Sequence, residues 1–167
     1  EHVARLTQIG VDSLKVEGRT KSLYYVVRTA QAYRRAIDDA QAGKPFNPEL
    51  LAELDGLANR GYTEGFLQRH STHEYQNYLE GHSTAKRSQF VGEVRKIENG
   101  WAEIEVKNRF AVGDRLEIIH PSGNRIIDLK EMRDGEGALL AVAAGNGVKA
   151  SIPLESGLEE ALIARLF

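Results

Sequence analysis

From residue 90 onward the chain is cut into short apolar runs by turn-forming residues, and this punctuation restricts what its second half can become. The runs are residues 90–97, 101–106, 115–119, 125–132, 138–142 and 148–152. Between them stand Glu98-Asn99-Gly100, Val112-Gly113-Asp114, Pro121-Ser122-Gly123-Asn124, Asp134-Gly135 and Gly145-Asn146-Gly147. Runs this short are strand-sized, and Asn-Gly, Asp-Gly and Pro-Ser-Gly clusters are hairpin and turn signals with a backbone reason for each residue. In the second run Ala102, Ile104 and Val106 alternate with Glu103, Glu105 and Lys107, the period of a half-buried strand. Six such strands predict a small antiparallel β-barrel or sandwich. Trp101, at the start of a strand, is expected in its core. The tail 158–167 fits either a helix, through Leu158, Leu162 and Leu166, or a closing strand.

The first half has a different period. Val3, Leu6 and Ile9 sit at helical spacing before Gly10. Residues 11–19 are a short piece with Val11, Leu14 and Val16 between turn residues, which reads as a strand. A long helix follows: Leu23, Val26, Val27, Ala30, Tyr33, Ile37 and Ala40 mark one face, and Arg28, Gln31, Arg34, Arg35, Asp38 and Asp39 the other, up to Gly43 and Pro45. Helix, strand, helix is one slice of an α/β layer, and such a strand needs parallel neighbours. None follows it, so the slice is expected to belong to a longer protein. Residues 44–85 read as a helical linker. Asn47 and Pro48 start one helix, carried by Leu50, Leu51, Leu54, Leu57 and Ala58 to Gly61. Ser71-Thr72-His73-Glu74 has capping-box spacing for another, closed by Gly81. The fold class expected is therefore α+β, in three parts: residues 1–43, 44–85 and 86–167.

Composition narrows the chemistry. The chain has 41% hydrophobic and 28% charged residues, a globular balance. It has no cysteine, which removes disulfides, thiolate metal sites and cysteine nucleophiles from these residues. No apolar run approaches the roughly 18 residues of a membrane span, and a cytoplasmic location is expected. The net charge is −2 and is not segregated: residues 1–85 carry 10 basic and 11 acidic side chains, residues 86–167 carry 12 and 13. Any nucleic-acid contact must then come from a local patch.

Four constellations could carry function. In the first, Lys15, Glu17 and Arg19 flank Gly18 where a strand meets a helix, the edge at which α/β folds place their sites. Glu17 could accept a proton or orient a substrate, and Arg19 could clamp a carboxylate or phosphate. The plainer alternative is a solvated Glu–Lys or Glu–Arg pair. In the second, Tyr62-Thr63-Glu64-Gly65-Phe66 with Arg69 could contact RNA through stacking, or could dock the linker. The third is Lys86-Arg87, Arg95-Lys96 and Lys107-Asn108-Arg109, a possible basic stripe with Lys107 and Arg109 as substrate-binding candidates. Glu93, Glu98, Glu103 and Glu105 interleave with it, as on an ordinary solvated strand. The fourth, His70, His73 and His82, lacks the one-face spacing of a metal site, and none is expected. There is no phosphate-binding glycine loop and no nucleophile elbow.

Gly10-Val11-Asp12-Ser13-Leu14-Lys15-Val16-Glu17-Gly18-Arg19, with Lys21-Ser22 and Tyr24-Tyr25 beyond, resembles a stretch of the collagenase-like peptidase family, peptidase family U thirty-two. Asn59-Arg60-Gly61-Tyr62-Thr63-Glu64-Gly65-Phe66 and Glu74-Tyr75-Gln76-Asn77-Tyr78 resemble its tRNA-modifying branch. Gln89-Phe90-Val91-Gly92-Glu93 and the stretch from Val106 through Lys107-Asn108-Arg109-Phe110 to Val112-Gly113-Asp114 extend the likeness into the β-domain. The resemblance implies a parent with a TIM-like barrel, of which residues 1–43 are the last slice. It also implies a C-terminal β-barrel like those of translation factors, over residues 86–167. It further implies tRNA as partner, hydroxylation of the wobble uridine to 5-hydroxyuridine, and a parent that uses an iron–sulfur cluster and prephenate. Lys15, Glu17 and Arg19 would lie at the barrel mouth, and the fragment alone would be inactive. A collagenase-like peptidase and a non-enzymatic module docking on a protein or the ribosome are the competing readings.

Overall fold

In the computed structural model, which describes residues 1–57 and 88–167, the chain divides into two units, Glu1–Lys86 and Arg87–Phe167. The first unit contains three helices among its described residues: α1 (Val3–Gln8), α2 (Leu23–Gln41) and α3 (Glu49–Asp55). Each begins or ends where the side chains dictate. The Ser22 hydroxyl accepts the Tyr25 N–H at 3.3 Å and caps α2. Gly43, at φ 67°, turns the chain out of that helix as only glycine does without strain. The Asn47 side-chain oxygen accepts the Glu49 N–H at 2.9 Å, so Asn47 does the capping expected of it one residue outside Pro48. Arg35 of α2 reaches Glu53 of α3 at 2.7 Å. The capping box at 71–74 and the end of the linker helix at Gly61 lie outside the described residues.

The strand expected at residues 11–19 is absent: residues 11–18 carry no strand pairing, and the chain turns at Arg19. The physical reason is the one that made the strand conditional. A strand satisfies its backbone only through a neighbour, and the described part of residues 1–57 contains no other strand. Helix α2 departs from expectation in the same sense. Its buried residues are Tyr24, Arg28, Thr29 and Ala32, whereas Leu23, Val26 and Tyr33 of the apolar stripe are 57%, 45% and 37% exposed. Val11 and Val16 are likewise exposed.

The second unit is built on one seven-stranded antiparallel sheet. Its strands are β1 (Ser88–Glu98), β2 (Trp101–Val106), β4 (Arg115–Ile119), β5 (Arg125–Asp128), β6 (Arg133–Asp134), β8 (Lys149–Pro153) and β9 (Leu162–Leu166), in the order β5-β4-β9-β1-β2-β8-β6. A separate ribbon pairs β3 (Phe110–Ala111) with β7 (Val142–Ala143). The sheet curls around its core as a half-barrel but does not close, since β5 and β6 remain edges. Asn99 and Gly100, both at positive φ (52° and 78°), make the two-residue hairpin that joins β1 to β2. Inward residues Val94, Ile104, Val106, Leu116, Ile118, Ile152 and Ile163 meet Phe110, Met132 and Leu158 in one buried cluster.

The ambiguous tail resolves as a strand: β9 pairs with β1 on one side and β4 on the other. The run 125–132 stops pairing at Asp128, because the Leu129 N–H turns to the Asp114 carbonyl at 2.9 Å. The run 138–142 forms no strand of its own length. Leu139 makes only an isolated bridge with Arg133, Leu140 donates to the Met132 carbonyl at 2.8 Å, and a paired strand starts at Val142. Trp101 is not a core residue. It is half-buried on the face opposite Ala102, with the Arg133 guanidinium 3.9 Å from its ring centroid.

Candidate nucleic-acid interface

Of the basic residues weighed as a stripe on the β-domain, Arg95, Lys96 and Lys107 are neutralised by glutamates, while Lys86 and Arg87 lie outside the described residues. Alternation places Glu103 and Glu105 of β2 on the face away from the core, and the register sets Glu93 opposite Glu105 and Lys96 opposite Glu103. Arg95 pairs with Glu105 and lies 3.1 Å from Glu93. Lys96 meets Glu98 at 2.6 Å, and Lys107 pairs with Glu105. Hydrogen bonds from Lys107 and Arg95 hold the Glu105 carboxyl below the usual carboxylate range. The bond to Glu105 raises Arg95 above its ordinary value, and Glu98 does the same for Lys96. Here the solvated-strand alternative describes the residues better than a phosphate-binding track does.

This lattice has a pH signature. Because the folded state favours ionised Glu105, its stabilising effect is present above the ordinary carboxylate range and disappears as pH falls through the depressed folded value. Glu105→Gln should therefore lower the unfolding midpoint slightly at neutral pH. The difference from the parent should vanish at acid pH and shrink in about 1 M salt, since these groups are exposed and screened. Thermal melts across pH and salt check it. A difference that persists at low pH would place Glu105 outside the lattice.

The other predicted residues fall as follows. Lys15 and Glu17 form an ion pair with each other at 2.9 Å, with side chains 85% and 75% exposed, and Arg19 is exposed two residues on. The three are neighbours on a turn, with no enclosing wall among the described residues. Tyr62 and Arg69 lie outside the described residues. Lys107 is half-buried in the lattice, whereas Arg109, at the turn before β3, is exposed and carries no ion pair among the described residues. No group of three or more His, Asp or Glu side chains is arranged to hold a metal among the described residues. No helix among them is long and apolar enough to cross a membrane.

One concavity escaped the sequence reading. An open cleft of about 430 Å³ lies at one end of the half-barrel, walled by Ile118, Ile127, Leu154 and Leu158, with Arg125 and Glu155 at its lip. Those two side chains pair with each other. The signal that could have found it was the charged Arg125 at an inward position of the edge strand β5, opposite Ile118.

Comparison with known proteins supplies what the geometry leaves open. A family model described as Peptidase family U32 matches residues 1–77, and one described as Peptidase family U32 C-terminal domain matches residues 86–165. The tRNA hydroxylation protein P of Escherichia coli (strain K12) is 53% identical over 169 aligned positions, covering 99% of this chain and 37% of the relative. The protein of the same name from Haemophilus influenzae is 50% identical with the same coverage. The chain thus spans 37% of the length of these curated relatives. The C-terminal domain of a Geobacillus thermoleovorans U32 peptidase aligns with a TM-score of 0.43 and 22% identity, covering 47% of this chain and 92% of that one.

Proposed function

The chain belongs to peptidase family U32, and from that premise we propose that it is the C-terminal part of a tRNA-modifying enzyme that hydroxylates the wobble uridine to 5-hydroxyuridine. The observation that carries the reading is the identity of 53% to a tRNA hydroxylation protein, sustained over 99% of the chain and therefore across both units. In this reading residues 86–167 position the RNA or cover the active site. The chemistry takes place on the rest of the parent, in the cytoplasm.

The first unit supports the same division. Residues 1–43 are read as the closing slice of an α/β barrel whose other strands the parent supplies. The exposure of Val11, Val16, Leu23, Val26 and Tyr33 fits a face meant to be covered. Covering it would give residues 11–16 the strand partners that their pattern asks for. Residues 44–85 are the linker in this scheme.

The residues present do not fit either of the groups implied by family resemblance. The chain has no cysteine and offers no thiolate to an iron–sulfur cluster. Lys15 is already neutralised by Glu17, so that pair offers no free cation to a dicarboxylate such as prephenate. No step is therefore routed through either group on this chain, and Arg19 is the one side chain of that segment left to meet a substrate anion.

The test is complementation. A strain lacking the parent receives either the full-length gene or residues 1–167, and the wobble uridine is assayed by mass spectrometry. The full-length gene should restore 5-hydroxyuridine and the shorter one should not. An unmodified wobble uridine with the full-length protein present overturns the reading. Modification restored by residues 1–167 alone would move the chemistry onto this chain.

A further inference from the structure

The cations of the second unit divide by what neutralises them. Arg95, Lys96, Lys107, Arg125 and Arg133 each meet a glutamate, and Arg165 lies 3.1 Å from Asp114. Arg109, Arg115 and Lys130 are exposed and carry no ion pair among the described residues. Lys149, the fourth of this kind, stands on the other flank, opposite Glu105 in the β2–β8 register.

Those three are gathered at one corner by backbone hydrogen bonds. Arg115 opens β4 on a rung that runs Asp128, Arg115, Leu166, Ser88 across four strands. Lys130 follows Leu129, whose N–H donates to the Asp114 carbonyl at 2.9 Å and whose carbonyl accepts the Gly113 N–H at 2.7 Å. The Asp114 N–H in turn donates to the Ala111 carbonyl at 3.0 Å, closing the turn between β3 and β4, and Arg109 directly precedes β3. The Asn108 side chain donates to the Phe90 carbonyl at 2.8 Å, fixing the start of that segment to β1. Phe167, which follows Leu166 at the end of β9, is 71% exposed and lies with Arg165 on the other face of the strand from the rung, the Arg165 guanidinium 5.1 Å from its ring centroid.

We infer that this corner is where the β-domain grips RNA, with Arg109, Arg115 and Lys130 on backbone phosphates and the Phe167 ring under an unpaired base. The inference rests on the tRNA reading above and says which surface serves it. A cation already held by a glutamate must break that contact before it can take a phosphate, whereas an unpaired one only exchanges counterions. An exposed ring beside a guanidinium is a stacking platform for a base. The carboxylates nearby do not cancel it. Asp114 is engaged by Arg165 and by the Ala111 N–H, Glu131 by Arg133, and Asp128 and Glu117 are two charges against the three cations.

The experiment titrates tRNA binding by the full-length parent against salt. Replacing Arg109, Arg115 and Lys130 together by glutamine should weaken binding about 10–100-fold near physiological salt. It should also make the slope of log K against log salt shallower by about 2–3, the loss of three phosphate contacts. Phe167→Ala should weaken binding several-fold and leave the slope unchanged. A control that removes as many charges from the paired set, Arg95→Gln, Lys96→Gln and Arg125→Gln together, should keep the parental slope. If the parent binds tRNA and the first triple variant keeps its slope, the corner is the wrong surface while the tRNA reading stands. If the parent binds no tRNA even at low salt, both fall.

Discussion

Phe110→Ala is expected to remove about 3–5 kcal/mol of stability from the second unit, a fall of roughly 15–30 °C in its unfolding midpoint for a domain of this size. Phe110 is fully buried and is the largest of the wholly enclosed side chains. It enters the core from the two-residue strand β3, so the hole it leaves cannot be filled by sliding a long strand. The effect is readable from the intrinsic fluorescence of Trp101, the single tryptophan, which lies in this unit. A shift below about 5 °C would mean that Phe110 is not the centre of the core.

Gly92→Ala should cost about 1–3 kcal/mol, and Gly92→Val more. A Cβ on Gly92 would stand 2.7 Å from Ile104 Cγ2 and 2.8 Å from the Glu105 carbonyl oxygen. The side-chain clash could relax by a rotamer change. The clash with the carbonyl cannot, because that oxygen belongs to the backbone of the neighbouring strand β2, paired with β1 through Gly92 and Val106. Combining Gly92→Ala with Ile104→Leu, which removes Cγ2 and keeps the side chain's volume, should therefore restore little of the loss. Full recovery in the double variant, measured by thermal or urea unfolding, would show that only the methyl group was in the way.

The legible parts of the fold were those in which local chemistry and tertiary context agree. Gly43 and Asn47 punctuate helices wherever the helices pack, so α2 ends and α3 begins where the residues say. Strand β2 alternates strictly and matches its expected span, and the Asn99-Gly100 hairpin is set by backbone geometry alone. What was not legible depended on partners far along the chain. Residues 11–16 have a strand's composition and no strand beside them. Strands β3, β6 and β7 are two residues each and hold no period to read. Trp101 has a core residue's composition, but it stands next to inward Ala102, so alternation turns it outward onto Arg133.

The candidate site divides in the same way. Lys107 and Arg109 are two residues apart, yet one faces Glu105 and the other faces solvent. Spacing announces that cations are present, but only cross-strand register says which of them are already satisfied. Arg115 and Lys130 are inconspicuous in the sequence because each is a single cation flanked by acidic residues. They become a group with Arg109 only through the hydrogen bonds of Asp114 and Leu129.

The position of β9 bears on how the β-domain comes into being during synthesis. The last strand of the β-domain in sequence order, β9, is not an edge added to a finished sheet. It lies between β4 and β1, and those two strands have no contact ladder with each other except through it. Until residues 162–166 emerge, β4–β5 and β1–β2–β8–β6 are separate pieces with unsatisfied strand margins, and closing them requires the longest loop in the unit. The sheet therefore cannot be completed before residues 162–166 are available, and until then the facing margins of β4 and β1 present unpaired backbone groups.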